Sequence, residues 1–332
     1  MSHNSALASV HGRRLVIAAN RGPFSLNRHR DGRVWRIEKR VARAPGMGDC
    51  DDSYEYSIIS PKLRGYLVRE LEKARLFKKK LKQNELCLGA QIALSDPVVP
   101  EIFGRAGFDW LILDTEHSAQ SPLTVKAMLQ AATATDAVAL ARPLRLDPDE
   151  IRRFLDLGSP GVFCPFINSK ADALLLVSAC RYPPAGIRGW GPRRAAGYGF
   201  DTVEYMATAN DSMICIPIIE SREAVEHIDE IVSVDGIDGI SIGPMDLSIS
   251  LGCFQQFTNA TYVDAVEKVR AACKRHSKAM GTGCYSEEHA RACIEAGDSL
   301  LLVAGDDLFL ASEAKRHVEG LRPAGERRTV QQ

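Results

Sequence analysis

Several features that define large classes of proteins are missing from this chain. No apolar run among its 332 residues reaches the ~18 residues of a membrane-spanning helix, and the N-terminus lacks the apolar core of a signal peptide. Its 42 basic residues are balanced by 42 acidic ones, so the formal net charge is +0. A basic surplus typical of nucleic-acid binding is therefore absent, and we expect partners other than nucleic acids and membranes.

The cysteines lack the spacing of a disulfide framework or of a C-x-x-C redox or metal motif. There are nine of them, an odd number, and they are scattered along the chain. This usage is typical of a reducing compartment, so we predict a cytoplasmic protein.

A G-x-G-x-x-G fingerprint does not follow the first predicted strand, which argues against a dinucleotide-binding open sheet. Instead, short continuous apolar runs alternate with helical patterns from residue 86 onward. Eight such runs are the number that a (β/α)8 TIM barrel needs, and we predict that α/β fold. The predicted strands are 86–93, 110–114, 137–142, 161–165, 213–219, 237–242, 279–282 and 300–304.

The composition divides the chain into four parts. Residues 1–60 form an arginine-rich extension with little apolar periodicity, which we expect to be partly disordered. Within it, R-L-V-I-A-A-N-R-G-P-F at 14–24 resembles the opening of trehalose-phosphate synthase-type glycosyltransferases, but the match is too short to build that enzyme. We interpret 61–85 as an amphipathic lid helix, 86–322 as the barrel and 323–332 as a C-terminal tail.

Two acidic residues follow two of the predicted strands. Glu220 ends the apolar run M-I-C-I-P-I-I, and Asp246 follows I-D-G-I-S-I-G-P-M. The carboxyl ends of barrel strands meet at the mouth, where two carboxylates can converge on one hard divalent cation. We predict that this pair binds a metal. The alternative is that Glu220 caps the following helix while Asp246 lies unpaired in a turn.

Candidate acid–base groups follow the second and third strands. His117 lies in D-T-E-H beside Asp114 and Glu116, and Arg142 precedes a proline. The histidine is a candidate general base and the arginine a donor to a developing oxyanion. Asp156, on the next helix, could orient His117. Alternatively, the histidine is structural, the arginine forms a loop salt bridge and Asp156 lies on a helix surface.

The turn after the sixth strand has the form of an anion seat. Gly243 allows a sharp turn, Pro244 suits a first helical position, and the backbone N–H groups of Met245 and Asp246 point toward the mouth. A metal, a carboxylate seat, an arginine and a base suit a small 2-oxo acid that forms an enolate.

Six segments together carry a resemblance to a known family. They are A-G-F-D-W-L-I-L-D-T-E-H (106–117), A-R-P (141–143), L-D-L-G (155–158), R-Y-P-P-A-G-I-R-G (181–189), I-E-S-R-E-A (219–224) and V-D-G-I-D-G-I-S-I-G-P-M-D-L-S (234–248). In these segments the chain resembles the HpcH/HpaI family of class II, metal-dependent pyruvate aldolases, a group that also contains macrophomate synthase and a citrate synthase.

The resemblance implies a role for each candidate residue. Glu220 and Asp246 would bind Mg, Mn or Co, and His117, tuned by Asp156, would act as acid and base. Arg142 would stabilise the enolate, and the backbone at 243–246 would bind the carboxylate of pyruvate or oxaloacetate beside an aldehyde partner. It also implies a homohexamer, built as a trimer of dimers with the last helix exchanged.

Two departures from the family pattern leave the reaction open. Ile218 stands where many of these aldolases have a glutamine, and Met245 stands where a small residue is usual. Reversible aldol cleavage of 4-hydroxy-2-oxo acids is the leading hypothesis. Oxaloacetate decarboxylation or an enolate condensation is the alternative, and a non-catalytic barrel that serves as a binding module is the alternative of another class.

Overall fold

The computed structural model describes residues 66–322 and, before them, five shorter stretches at 5–10, 13–18, 24–28, 34–39 and 56–59. The chain divides into two compact units, Met1–Arg64 and Gly65–Gln332. The tail predicted at 323–332 lies outside the described residues.

The first unit contains short antiparallel strands where the sequence analysis expected little order. One pair joins β1 to β2, and a three-stranded sheet has the order β3-β4-β5. Partial disorder of residues 1–60 stays a prediction. The strands are β1 (Ser5–Val10), β2 (Arg13–Ala18), β3 (Phe24–Arg28), β4 (Val34–Lys39) and β5 (Tyr56–Ile59).

The second unit is built on eight parallel strands, which confirms the predicted TIM barrel. Their order in the sheet is β12-β11-β10-β9-β8-β7-β6-β13. Strands β6 to β12 are neighbours in chain order, and the last strand, β13, pairs with the first, β6. These strands are β6 (Cys87–Ile92), β7 (Trp110–Asp114), β8 (Val138–Arg142), β9 (Gly161–Cys164), β10 (Ile214–Ile219), β11 (Gly239–Ile242), β12 (Ala279–Thr282) and β13 (Leu300–Gly305).

The barrel closes between β12 and β13. The N–H of Ser299 donates to the carbonyl of Met280 at 2.9 Å, and Gly283 bridges Leu302 in parallel. A side chain at Gly281 would place its Cβ 1.4 Å from the carbonyl oxygen of Leu300. Glycine is therefore required for these two strands to approach closely enough to close the sheet.

Helices form the outer layer, and polar caps at their amino ends explain where several of them begin. Ser121, Asp147, Ser169, Ser221, Asn259 and Ser286 each accept a hydrogen bond from a first-turn N–H. Among the described residues, no helix has the length and apolar character needed to cross a membrane. The helices are α1 (Tyr66–Lys82), α2 (Val98–Ala106), α3 (Pro122–Ala132), α4 (Pro148–Asp156), α5 (Lys170–Cys180), α6 (Thr202–Ser212), α7 (Arg222–Glu226), α8 (Ile228–Val232), α9 (Pro244–Ser250), α10 (Ala260–Arg275), α11 (Glu287–Glu295) and α12 (Asp306–Leu321).

Helix α1 covers the amino-terminal end of the barrel. Ala74, Phe77 and Leu81 belong to the same buried cluster as the residues that fill the barrel interior. Lys78 donates to the carbonyl of Met213 at 2.7 Å, just before β10 begins. The opposite, carboxyl-terminal end of the strands is the mouth of the barrel.

The alternation of side chains along each strand decides which residues reach that mouth. Trp110 and Ile112 on β7, Val138 and Leu140 on β8, and Ile214, Ile216 and Ile218 on β10 all fill the interior. The next inward position on each of these strands is polar, because side chains repeat every second residue. Those positions are Asp114, Arg142 and Glu220.

Candidate active site at the barrel mouth

Glu220 is a buried carboxylate at the mouth, only 5% exposed. Its Oε1 accepts a hydrogen bond of 2.8 Å from the backbone N–H of Phe166, across the top of β9. Phe166 has a φ of 50°, in the left-handed region that is unfavourable for a phenylalanine. Strain of this kind at a strand end is common where a backbone group is aimed at a functional side chain.

Gly243 leaves room for the other oxygen of this carboxylate. A Cβ built on Gly243 would lie 2.5 Å from Oε2 of Glu220 and would displace it. Gly243 has φ −87° and ψ 96°, a conformation that other residues adopt, so the requirement for glycine comes from the carboxylate and not from the turn that was expected to need it.

The pKa of Glu220 is raised to about 7. Burial is the main cause, and the negative charges of Glu116 and Asp246 add to it, against the lowering effect of the Phe166 N–H. Burial likewise raises the pKa of Glu116, with Asp114 and Asp246 adding to the effect and Arg142 opposing it. The three carboxylates of Glu116, Glu220 and Asp246 therefore share one electrostatic environment.

The structure does not support the helix-cap interpretation of Glu220. The N-cap of α7 is Ser221, whose side chain accepts a hydrogen bond from the N–H of Ala224. Glu220 therefore does not cap α7, and its side chain points toward the mouth instead.

Arg142 is held in a fixed orientation by two acids of the D-T-E-H segment. Its Nε and Nη2 lie 2.8 Å and 2.6 Å from the two carboxylate oxygens of Asp114. Nε also lies 3.3 Å from Glu116. Asp114 is fully buried, and although burial raises its pKa, the hydrogen bond and charge of Arg142 outweigh this and lower it. Arg142 therefore forms the salt bridge that was the alternative interpretation. The contacts with Asp114 and Glu116 use Nε and Nη2 of the guanidinium and not Nη1.

His117 lies at the rim, with 61% of its side chain exposed. Its Nε2 is 3.6 Å from Oε2 of Glu116, and its backbone N–H donates to Oδ1 of Asp114 at 3.2 Å. The histidine, the arginine and both neighbouring acids thus form one connected group.

Asp156 lies with a different partner. Nη2 of Arg188 donates to its Oδ1 at 2.8 Å, and the guanidinium of this fully buried arginine lies 4.5 Å from the ring centre of Tyr182. The carboxylate beside His117 is that of Glu116. Tuning of His117 by Asp156 therefore stays a prediction.

The predicted anion seat lies at the start of α9. Gly243 is its N-cap and provides no side-chain cap, so the first-turn N–H groups of Met245 and Asp246 lack that acceptor. Met245 is 40% exposed. Asp246 is half-buried, and its negative charge raises the pKa of Glu116 and of Glu220.

Sequence reasoning gave no role of their own to Asp114, Glu116 and Phe166. Asp114 and Glu116 could have been found, because Asp114 continues the inward register of β7 and both acids neighbour His117. Phe166 could not, since its contribution is a backbone N–H in an unusual conformation.

Comparison with known proteins identifies the family. A sequence model described as HpcH/HpaI aldolase/citrate lyase matches residues 89–312. The chain belongs to this family. The predicted resemblance is therefore confirmed.

Several HpcH/HpaI relatives are similar over most of the barrel. A hydroxypyruvate/pyruvate aldolase of Roseovarius nubinhibens is 33% identical over 241 residues, 72% of this chain and 94% of the relative. A 4-hydroxy-2-oxo-heptane-1,7-dioate aldolase of Klebsiella pneumoniae is 35% identical over 244 residues, 72% and 91% respectively. The crystal structure of a family protein from Burkholderia cenocepacia J2315 has a TM-score of 0.72 at 29% identity, covering 75% of this chain and all of that one.

The mouth suits the divalent cation on which HpcH/HpaI aldolases depend. The groups available are carboxylate oxygens, which hard divalent cations prefer. Burial, together with the charges of Glu116 and Asp246, raises the pKa of Glu220 to about 7, so a cation bound here would stabilise the ionised carboxylate. The space kept open by Gly243 beside Glu220 Oε2 is consistent with the same use.

Proposed function

We propose that this chain is a divalent-metal-dependent carbon–carbon lyase. It would cleave 4-hydroxy-2-oxo acids into a pyruvate enolate and an aldehyde, or condense the two. The observation that carries this proposal is the buried Glu220 carboxylate at the barrel mouth, with one oxygen bound by the N–H of Phe166 and the other in the space that Gly243 leaves. Two similar relatives support it, one named as a hydroxypyruvate/pyruvate aldolase and the other as a 4-hydroxy-2-oxo-heptane-1,7-dioate aldolase.

Glu220 and Asp246 are the residues that would hold the ion, Mg, Mn or Co. When bound, the ion would supply a Lewis acid that polarises the keto oxygen of the 2-oxo acid. Glu116, whose side chain is 9% exposed, would stay beside the site and interact with Arg142 and His117.

Arg142 would donate to the oxygen on which negative charge develops. Its bidentate pair with buried Asp114 fixes the guanidinium before substrate arrives, so little reorganisation is needed during the reaction. Asp114 is thus a positioning residue in this proposal.

His117 would move the proton of the substrate 4-hydroxyl, directly or through one water. Its exposed ring at the rim can reach an incoming substrate, and Glu116 lies close enough to stabilise the protonated ring. The backbone N–H groups of Met245 and Asp246, beside Gly243, would bind the substrate carboxylate.

A lysine Schiff base is the other way to make a pyruvate enolate. Strands β6 to β13 contain no lysine, and Lys170 begins α5 only after the Asn168–Ser169 turn. The proposal therefore relies on the carboxylates and Arg142.

Decarboxylation of oxaloacetate, or condensation of the enolate with another acceptor, is the second candidate function. It is favoured by Ile218, which is 4% exposed and fills the barrel interior directly below Glu220. An apolar side chain there cannot hydrogen-bond a substrate, so substrate selection differs from that of relatives with an amide at this position.

A homohexamer, built as a trimer of dimers with α12 exchanged, belongs to the same proposal. Helix α12 presents Leu308, Phe309 and Leu310 with exposures of 69%, 50% and 63%. Apolar exposure of this extent on one helix is typical of a surface that is buried in an assembly. A cytoplasmic location stays a prediction from cysteine usage.

The proposal is tested by deuterium exchange into the methyl group of pyruvate, followed by NMR without any aldehyde. We expect exchange with Mg²⁺, Mn²⁺ or Co²⁺, none after chelation, and no covalent adduct when borohydride is added with pyruvate. Metal-loaded protein without exchange would favour a non-catalytic barrel, and a trapped adduct on Lys170 would favour a Schiff base.

Arg142→Ala should lower this exchange about 10²–10³-fold, because the developing oxyanion loses its charged donor. Since the change leaves Asp114 buried without its partner, the double variant Asp114→Asn/Arg142→Ala controls for destabilisation. The double variant should be better folded and equally slow. Recovery of exchange in it would show that Arg142 serves only to balance Asp114.

A further inference from the structure

A second group of potential metal ligands lies outside the mouth, between β12 and α11. Cys284 follows β12 in the register of Met280, which packs in the cluster under the helices, whereas Ala279 faces the barrel interior. The N–H of Cys284 donates to the carbonyl of Leu302 at 2.8 Å, which fixes this part of the backbone. His289 and Cys293 lie above it on α11.

The side chains of these three residues converge. One ligand atom from each of Cys284, His289 and Cys293 lies within 4.8 Å of the other two, the one such group of three among the described residues. Sγ of Cys293 is 3.4 Å from Nε2 of His289, one helical turn away. A thiolate and an imidazole bound to one tetrahedral zinc ion lie about 3.6 Å apart, so little movement would be needed.

Stacking holds the histidine ring in this position. The ring lies 3.9 Å from that of Tyr285 at an angle of 16°, and Tyr285 in turn stacks on Phe257 at 4.7 Å. Nδ1 of His289 is buried, and the described residues provide it with no hydrogen-bond partner. The ring is therefore oriented by aromatic packing, with Nε2 facing the thiols.

The three groups also form a donor set of the kind that binds metals. Two sulfur atoms and one imidazole nitrogen converge here. Each cysteine would bind the ion as its thiolate and release its proton to solvent.

We propose that Cys284, His289 and Cys293 bind one borderline-soft divalent cation, of which Zn²⁺ is the best fit. Two sulfurs and an imidazole select such an ion, whereas the oxygens of Glu220 and Asp246 select a harder one. The ion would join the segment after β12 to α11 and would leave a fourth position for water or another ligand. This site does not depend on the proposed aldolase activity.

Cobalt is the probe for this site, because thiolate-to-cobalt charge transfer gives an absorption band that carboxylates do not. Reduced full-length protein, first saturated with Mg²⁺, is titrated with Co²⁺ and then with Zn²⁺. We expect a band that saturates at one Co²⁺ per chain, disappears when Zn²⁺ is added, and accompanies a rise in Tm with Zn²⁺.

Matched variants assign the band. Cys284→Ser and Cys293→Ser should each lose the band and the Zn²⁺-dependent rise in Tm, and His289→Asn should weaken both while keeping the thiols. Cys273→Ser changes another buried cysteine, on α10, and should keep both.

Three results would overturn the proposal. One is a band that persists in both cysteine variants. Another is the absence of a band in folded, fully reduced protein. The third concerns protein prepared without reductant. A Cys284–Cys293 disulfide that re-forms there even when Zn²⁺ is present would assign the two cysteines to redox chemistry.

Discussion

Glu220 is a residue at which the proposed function and stability oppose each other. Its pKa rises from an ordinary 4.5 to about 7 on folding, so the folded protein binds a proton that the unfolded chain releases between these values. Stability of the metal-free protein should therefore be highest below pH 4.5 for this group and should fall as the pH rises through 7. At ~1.4 kcal/mol per pKa unit, the loss is on the order of 3 kcal/mol.

Glu220→Gln should remove this loss, because an amide cannot ionise. With chelator present, we expect the Tm of the variant to match the unaltered protein near pH 5 and to exceed it at pH 8. Glu267→Gln, at an exposed position on α10, is the control and should change neither value. Equal Tm values at pH 8 would show that the buried carboxylate is already compensated without metal.

His117→Ala should slow aldol cleavage by about 10²–10⁴, the effect of losing a general acid–base group. Metal content should stay the same, since the ion is assigned to Glu220 and Asp246. His276→Ala is a matched control, because His276 also lies 3.6 Å from a carboxylate, that of Asp229, but on α10's C-terminal cap. A variant that is purified without metal would make His117 a ligand instead.

At the scale of elements, α1 contributes to stability from the end opposite the mouth. Phe77, 3% exposed, enters the barrel interior, while its neighbour Leu76 is 60% exposed. Phe77→Ala should destabilise the protein by about 3–5 kcal/mol, whereas Leu76→Ala should change stability by less than about 0.5 kcal/mol. Urea unfolding of both variants measures the difference, and similar losses would mean that α1 does not fill the interior.

The strands of the barrel were largely predictable, and the helical layer less so. Buried parallel strands are continuous apolar runs that end at polar residues, so the predicted and observed strand bounds agree within two residues. After β10, the helices α7 and α8 meet at His227, which has φ −95° and ψ 12° and contacts the carbonyl of Asn168 through Nδ1. That contact joins distant parts of the chain, and a local pattern cannot reveal it.

The connection at 181–212 shows the same limit. It contains α6, which packs against α1. The apolar residues of α6 are interrupted by threonine, asparagine and aspartate, so its periodicity is weak and tertiary packing decides its structure.

For the candidate site, sequence identified the inward-facing ends of strands but not the partners of each side chain. Glu220, Arg142 and Asp246 were predicted as site residues because strand ends converge in a barrel. The Arg188 partner of Asp156 and the Cys284–His289–Cys293 group depend on which helix face meets which loop. The Cys284–His289–Cys293 group lacks C-x-x-C spacing, so that motif does not reveal it, although His289 and Cys293 are four residues apart on one helix face.

In the whole barrel, the candidate active site and the apolar cover of the interior lie at opposite ends. The mouth contains buried acids whose raised pKa values lower stability, and the opposite end contains the apolar face of α1. Among the residues whose burial is described, α1 contributes Leu71, Ala74, Phe77 and Leu81 to the buried clusters. Residues 1–60 have little apolar periodicity with which to share this core, so folding of the barrel should require α1 but not that segment.

Deleting residues 1–60 should leave a folded barrel with unchanged Tm and unchanged exchange of pyruvate methyl protons, because all eight strands and α1 are kept. Deleting residues 1–82 is the matched control. It removes Ala74, Phe77 and Leu81 from the interior cluster and should lower the Tm strongly or prevent folding, since Cys87, Trp110 and Leu300 would lose their apolar cover.

Circular dichroism, thermal melts and size-exclusion chromatography measure the folding and assembly of both deletion variants. Loss of folding or of assembly in the shorter deletion would make the arginine-rich extension part of the structural unit, whereas survival of the longer one would mean that the barrel interior is closed without α1.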